Sequence, residues 1–267
     1  MATPDPAVMK SSVDARELKN AAVALASSAS PGDHDLLGRY LSSAEFLGRL
    51  DGPEAYEGTW SGLRLAPVVQ TIMDNRVPST DRLLLGLVGS PDFQKDLLRA
   101  QLLVRALGVV RPSPPEAVRY WDRMSEPKDP LFTDVVAALC VNQSDPALAL
   151  LERKFADPSH DARLKVFLMR KYILPRRNDE PLLLACERMV TGSLPADLRP
   201  ALVEALFDYQ PSKWYRGDDP PKPPPRAKAS PGARKVLDRI GRYALKNLKL
   251  TKAQETAVRN ALAESGK

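Results

Sequence analysis

Four prolines mark helix starts in the middle of this chain, and their recurrence restricts the possible folds more than any other feature. Between residues 79 and 210, apolar side chains follow a helical period in segments of about 10–18 residues. The segments form four pairs, and the second helix of each pair begins at or just after Pro91, Pro130, Pro158 or Pro195. Proline suits the first turn of a helix, where its missing N–H would have no partner. The sequence therefore predicts repeated helix pairs.

The same periodicity predicts an all-α fold, since the sequence has no sustained period-two alternation and no hairpin turn between β-branched runs. Helices are also expected at 12–28, 34–50 and 63–75. The four pairs are expected at 80–88 with 92–108, 115–124 with 130–142, 145–156 with 159–174, and 180–191 with 196–209. Short helix pairs repeated in this way are typical of an α-solenoid, in which each pair covers the apolar face of the next.

The third pair carries a resemblance to a known family. It reads ALALLERKFADPSHDARLKVFLMRKY, with a leucine-rich first helix, a turn at Asp157-Pro158, and Asp161 and Arg163 at the start of the second helix. This segment resembles HEAT repeats. The resemblance implies a solenoid of antiparallel helix pairs whose second helices line a concave surface. It also implies a ladder between repeats, made by turn aspartates and second-helix arginines, for which Asp157, Arg163 and Arg199 are the candidates here.

Charge and proline content divide the rest of the chain. From Lys213 onward there are 14 basic and 5 acidic residues, a net charge of +9, whereas residues 1–212 carry 25 basic and 28 acidic residues, a net charge of −3. We expect four segments. They are N-terminal helices that cap the solenoid (1–62), the HEAT-like solenoid (63–210), a proline-rich linker (211–232) and a basic helical hairpin (233–267).

The first helix of the hairpin is predicted to have two faces. One carries a positive stripe of Lys235, Arg239, Arg242, Lys246 and Lys249, and the opposite one carries Leu237, Ile240, Ala244 and Leu248. Two interpretations stay open. The apolar face packs on the solenoid end or on the second helix of the hairpin and the stripe is simply solvated, or the stripe contacts phosphate, a lipid headgroup or an acidic protein.

A second basic region covers residues 163–177. Arg163, Phe167, Arg170 and Lys171 share one helical face, and Arg176 and Arg177 are expected at its edge. An aromatic ring among cations suits stacking on bases together with neutralisation of phosphates. The alternative is a HEAT arginine ladder with Phe167 in the core.

Motifs of catalysis are absent from the sequence, which has no P-loop, G-x-G-x-x-G, G-x-S-x-G or H-E-x-x-H. His34 and His160 fall in predicted polar turns and are expected at the surface or as caps. Cys140 and Cys186 fall in apolar helices and are expected to be buried free thiols. We therefore predict a protein without a cofactor or metal and without enzymatic activity.

The function predicted from these features is a non-catalytic scaffold that binds a protein through the solenoid, with the basic tail as a second contact. The alternative is a HEAT-like protein that binds nucleic acid through its basic patches. A remote variant resembles the HEAT-like alkylpurine DNA glycosylases, for which Trp121-Asp122 is the only local match. No apolar run approaches the length of about 20 residues that a membrane span needs, and we expect a cytoplasmic location.

Overall fold

Every secondary-structure element that the computed structural model assigns is helical, which confirms the prediction of an all-α protein. The structure describes residues 14–51, 63–207 and 229–265. Contacts group the chain into two compact units, Met1–Asn142 and Gln143–Lys267. The expected linker at 211–232 therefore lies mostly outside the described residues.

Nine α-helices occupy the described part of the first unit. They are α1 (Ala15–Ser27), α2 (Pro31–Leu41), α3 (Ala44–Leu50), α4 (Leu65–Asn75), α5 (Pro78–Val88), α6 (Pro91–Gln94), α7 (Leu97–Leu107), α8 (Pro115–Arg123) and α9 (Phe132–Asn142).

These helices pack in two rows within the first unit. In one row α1 contacts α4, α4 contacts α7, and α7 contacts α9; in the other row α2 contacts α5, and α5 contacts α8. The rows also contact each other, through α1 with α2 and α4 with α5. The two expected first helices of this unit, α5 and α8, lie in one row, and the expected second helices, α7 and α9, lie in the other. Most of these helices thus bury an apolar stripe against neighbours in their own row and in the opposite one.

Six α-helices occupy the described part of the second unit. They are α10 (Asp145–Ala156), α11 (Ala162–Leu168), α12 (Glu180–Arg188), α13 (Arg199–Phe207), α14 (Pro231–Asn247) and α15 (Lys252–Ser265). Two of them end in a wider π turn, α11 at Met169–Ile173 and α12 at Met189–Ser193. Each π turn comes shortly before a proline, Pro175 or Pro195, which cannot donate the next helical hydrogen bond.

The C-terminal hairpin packs on the other helices of this unit. Helix α14 contacts α12, which in turn contacts α10, while α15 contacts α13, which contacts the π turn that follows α11. The hairpin therefore adds to both rows of the unit, although the sequence placed it in a separate segment at 233–267. The division between the units also falls after Asn142, inside the stretch assigned to the solenoid at 63–210.

Arginine–carboxylate pairs connect neighbouring helices of the same row. In the first unit, Arg105 of α7 lies 2.6 Å from Oδ1 of the buried Asp134 on α9. The second unit has three such pairs between row neighbours. They are Glu152 with Arg188 at 2.5 Å, Glu187 with Arg239 at 2.6 Å, and Arg170 with Glu204.

The residues that the HEAT resemblance assigned to such a ladder make other contacts. Asp157 accepts hydrogen bonds from the backbone N–H and hydroxyl of Ser159 within its own turn. Arg199 donates to the carbonyl oxygens of Gly192 and Leu194 at 3.0 and 2.8 Å, and so satisfies the carbonyl groups at the end of α12. Arg163 is exposed. Ion pairs between neighbouring helices are therefore present, but they use residues other than the ones that the resemblance implies.

Candidate functional site

Three of the predicted site residues form one exposed surface on α11 and its π turn. Arg163, Phe167 and Lys171 follow one another at steps of four residues and are all exposed, and we call them the α11 face. Phe167 is 41% exposed, which excludes the alternative that it is a core residue. The Lys171 ammonium lies 5.5 Å from the centroid of the Phe167 ring and 5.2 Å from that of the half-buried Tyr172 ring. Such distances allow cation–π attraction, which holds the lysine beside the ring.

Arg170, the fourth member of the predicted face, turns to a carboxylate on the next helix. Its guanidinium pairs with Oε1 of Glu204 on α13, while the other carboxylate oxygen accepts a hydrogen bond of 2.8 Å from the Gln254 side chain on α15. The same glutamine completes a capping box at the start of α15: its backbone N–H donates to the Thr251 hydroxyl, and its side-chain oxygen accepts from the Thr251 N–H. The positive charge of Arg170, next to the α11 face, is therefore paired with a carboxylate of α13.

The two arginines expected at the edge of this surface are less accessible. Arg176 is half-buried and donates to the Tyr172 carbonyl oxygen at 3.3 Å. Arg177 is only 6% exposed. Arg176 ends the 3-10 turn Leu174–Arg176 and Arg177 follows it directly, and neither offers an exposed guanidinium to a partner as Arg163 does.

The second candidate surface lies on α14. Lys235, Arg242 and Lys246 are exposed, and no hydrogen bond or ion pair joins their side chains to any residue that the structure describes; we call them the α14 stripe. Arg239 is exposed too, but its Nε and Nη2 atoms donate to Oε1 and Oε2 of Glu187 at 2.6 and 2.7 Å. This two-pronged bond raises the pKa of Arg239 above its ordinary value. Lys249, predicted as part of the stripe, is exposed just beyond the helix end.

The opposite face of α14 is buried. Val236, Leu237, Ile240 and Ala244 are each at most 6% exposed. At Gly241 the backbone comes so close to its neighbours that an added Cβ would lie 3.2–3.3 Å from Val258, Leu262 and Phe207. The apolar face that the sequence predicted is therefore covered by α12, α13 and α15, and the stripe points away from them.

Both histidines are buried, contrary to the expectation of surface positions. His34 is fully buried, with Nδ1 2.6 Å from the hydroxyl oxygen of the buried Ser79 and Nε2 3.4 Å from the side-chain nitrogen of Asn75. That amide also donates to the Ala26 and Ser28 carbonyl oxygens at 2.8 Å. A serine–histidine pair is the arrangement that activates a nucleophile, but here both groups lie in the core and connect helices of the first unit. His34 falls on the apolar stripe of α2 with Leu37 and Leu41, a signal that could have predicted its burial.

Trp121, the local match to the glycosylases, is fully buried, and its indole N–H donates to the Val104 carbonyl oxygen at 3.1 Å. As folded, its ring has no face free to contact a base. Cys140 and Cys186 are buried free thiols, as predicted. Among residues 14–51, 63–207 and 229–265, no helix has the length and apolarity to cross a membrane, and no three His, Cys, Asp or Glu side chains are grouped to hold a metal ion.

Comparison of the chain with protein-family models, with curated proteins and with solved structures finds no match. The HEAT resemblance therefore stays a prediction, and the function has to be argued from the two surfaces.

Proposed function

We propose that this protein is a non-catalytic scaffold that binds a protein partner through the α11 face and uses α14 for a second contact. We further propose that its helix pairs form a HEAT-like solenoid, an idea supported by the two rows of helices within each unit. The exposed Phe167 between Arg163 and Lys171 is the observation that carries the proposal. Aromatic residues are enriched in the buried cores of protein interfaces, and here the ring is flanked by two exposed cations.

The charges beside Phe167 define the kind of partner. Arg163 and Lys171 lie one helical turn to either side of the ring, so carboxylates that flank an apolar side chain on the partner would meet two cations. We therefore propose a partner segment with an apolar anchor among acidic residues.

Nucleic acid is the less favoured ligand for this surface, although an aromatic ring among cations would suit it. Binding a strand across neighbouring helices needs continuous positive charge, whereas Glu204 of α13 pairs with Arg170 and cancels its charge. A protein partner tolerates such alternation of charge, and a phosphate backbone does not.

The test is affinity capture from the source cells with a tagged full-length chain, after nuclease treatment. The variant Phe167→Ser with Lys171→Glu removes the aromatic anchor and reverses one charge on exposed positions. A matched control carries the same types of change in the first unit, Leu97→Ser with Lys128→Glu, at residues that are also exposed.

We expect a protein that the wild type and the control retain equally and that the Phe167 variant loses. Equal retention by both variants would show that the α11 face is not the docking surface. Retention that disappears with nuclease treatment would show that the protein partner was bridged by nucleic acid.

A further inference from the structure

The C-terminal hairpin, taken with the four uncharged residues before it, has the same net positive charge as the whole chain. Residues 229–267 contain nine basic and three acidic residues and so carry a net charge of +6, which is also the formal net charge of all 267 residues. The packing of α14 decides where this charge is available. Its buried face holds the apolar side chains, so the cations of the α14 stripe are left on the outer surface.

The geometry of the stripe is linear. Lys235, Arg242 and Lys246 follow at steps of seven and four residues, which keeps them on one side of a straight helix over about 16 Å. Measured along the axis of B-DNA, each strand carries one charge per about 3.4 Å, so a stripe of this length parallel to the axis spans the rise of about five phosphates of one strand. Arg239 does not add to it, because Glu187 already neutralises that guanidinium.

The surroundings of the stripe distinguish between classes of polyanion. An anionic membrane would be bound by inserting the apolar face of an amphipathic helix, but that face of α14 is buried in the protein. A protein partner would need an aromatic or aliphatic anchor, and none of the large exposed apolar residues that the structure describes (Leu97, Phe167 and Leu184) belongs to α14. A phosphate backbone needs neither, since cations alone supply sequence-independent binding.

We propose that the α14 stripe binds the phosphate backbone of nucleic acid without sequence specificity. This inference extends the proposed function by naming the ligand of the second contact. The scaffold would then hold a protein on the α11 face and a nucleic acid on α14, on different helices of the second unit. The two contacts use different side chains, so each can fail in an experiment without the other.

The experiment measures binding of the full-length chain to a fluorescent 20-base-pair duplex of mixed sequence, at salt concentrations from about 20 to 200 mM. The stripe variant carries Lys235→Gln, Arg242→Gln and Lys246→Gln. A control variant with the same change in net charge carries Arg16→Gln, Arg82→Gln and Lys128→Gln, all exposed positions of the first unit. A third variant keeps the charges, with Lys235→Arg, Arg242→Lys and Lys246→Arg.

We expect binding at about 20 mM salt that weakens by at least about tenfold by 200 mM. The stripe variant should bind at least about tenfold more weakly than the control, with a slope of log K against log salt that is shallower by about 2–3, the value for three lost phosphate contacts. The charge-keeping variant should bind as the wild type does. Helical circular dichroism and a melting temperature equal to those of the wild type would show that the variants are folded.

Three results would overturn the proposal. They are no duplex binding at the lowest salt, equal binding by the stripe and control variants, and tighter binding to a polyglutamate of matched charge than to the duplex. The last result would identify an acidic protein as the ligand. Wild-type binding to vesicles of anionic lipid that the stripe variant loses, without binding to the duplex, would identify a membrane surface instead.

Discussion

At the scale of the residue, the most unusual environment belongs to Lys165. This side chain is 1% exposed, and its ammonium donates a hydrogen bond to the carbonyl oxygen of Asp157. Burial lowers the pKa of Lys165 below its ordinary value of 10.5, although the carboxylates of Asp157, Asp197 and Asp161 oppose the shift. The methylene groups of Lys165 therefore pack in the core, and its charged ammonium is poorly hydrated, which is unfavourable.

The sign of the pH dependence follows from this shift. Below the lowered pKa both the folded and the unfolded chain bind the proton, and the cost of the buried charge is present in full. Between the lowered pKa and 10.5 the unfolded chain binds more protons, so stability should rise with pH in that window. We predict that the melting temperature of Lys165→Met minus that of the wild type is largest near about pH 7. This difference should fall toward pH 10.5, because the wild type gains stability in that window.

Thermal unfolding of both proteins across this range checks the prediction. Lys252→Met, at an exposed lysine of α15, is the control and should show a difference from the wild type that is flat with pH. A flat difference for Lys165→Met as well would mean that its ammonium is hydrated in the folded state.

Single residues were the hardest level to predict from the sequence. Helical periodicity places Arg163, Phe167 and Lys171 on one face and aligns the α14 stripe, but it left open whether Phe167 is exposed or buried. The pairing of Arg170 with Glu204 joins residues 34 positions apart and leaves no local signal. The burial of His34, by contrast, has a local signal, because this residue lies on the apolar stripe of α2 with Leu37 and Leu41.

At the scale of the element, the close contact at Gly241 is what seats α14 against α15. An added Cβ would already lie 3.2 Å from the Val258 and Leu262 side chains, and a valine brings two further methyl groups. We predict that Gly241→Val lowers the free energy of unfolding by about 1–3 kcal/mol, because overpacking forces side chains or backbone to move. Denaturant unfolding measures the change.

The same substitution at Gly86 is the matched control. That glycine lies in α5, and nothing surrounds the position that its Cβ would take within 4 Å. Gly86→Val should change the stability by less than about 0.5 kcal/mol in either direction. Equal effects at the two glycines would show that α14 does not depend on this contact.

Apolar periodicity predicted most helices, but the prolines did not mark the starts of the second helices. Pro91 begins the short α6, and Pro130, Pro158 and Pro195 lie two to four residues before α9, α11 and α13. Two expected helices are divided in the structure, and each division has a local cause that apolar periodicity does not show. The Ser43 hydroxyl accepts from the Phe46 N–H and starts α3 inside the helix expected at 34–50. Asp96 accepts from the N–H groups of Leu98 and Arg99 and starts α7 inside the helix expected at 92–108.

At the scale of the whole molecule, each unit is held together by rows of helices. Repeated pairs in the sequence predict that helices stack, but they do not determine where one stack ends, and the division after Asn142 carried no signal that we recognised. The place of the hairpin was also open, since an apolar face must be buried but its pattern does not name the partner. In the structure the apolar face of α14 packs on α12, α13 and α15 of the second unit.

The contact proposed for α14 depends on this docking. If α14 is packed on α12 and α13, its apolar residues are buried in the protein. The α14 stripe then lies on a rigid outer surface. If α14 were free, its two faces would be available together and the argument against a membrane or protein ligand would lose its basis.

Hydrogen–deuterium exchange of the full-length chain tests the docking most directly. A solvated helix of 17 residues is marginally stable and exchanges its amides quickly, whereas a packed helix exchanges only when the structure opens. We predict that the amides of Val236–Ala244 exchange as slowly as those of α12. Both sets should exchange more slowly than the amides of an unfolded peptide, by a factor of about 10³ or more. Exchange of these amides near the unfolded rate, with α12 still protected, would contradict the account.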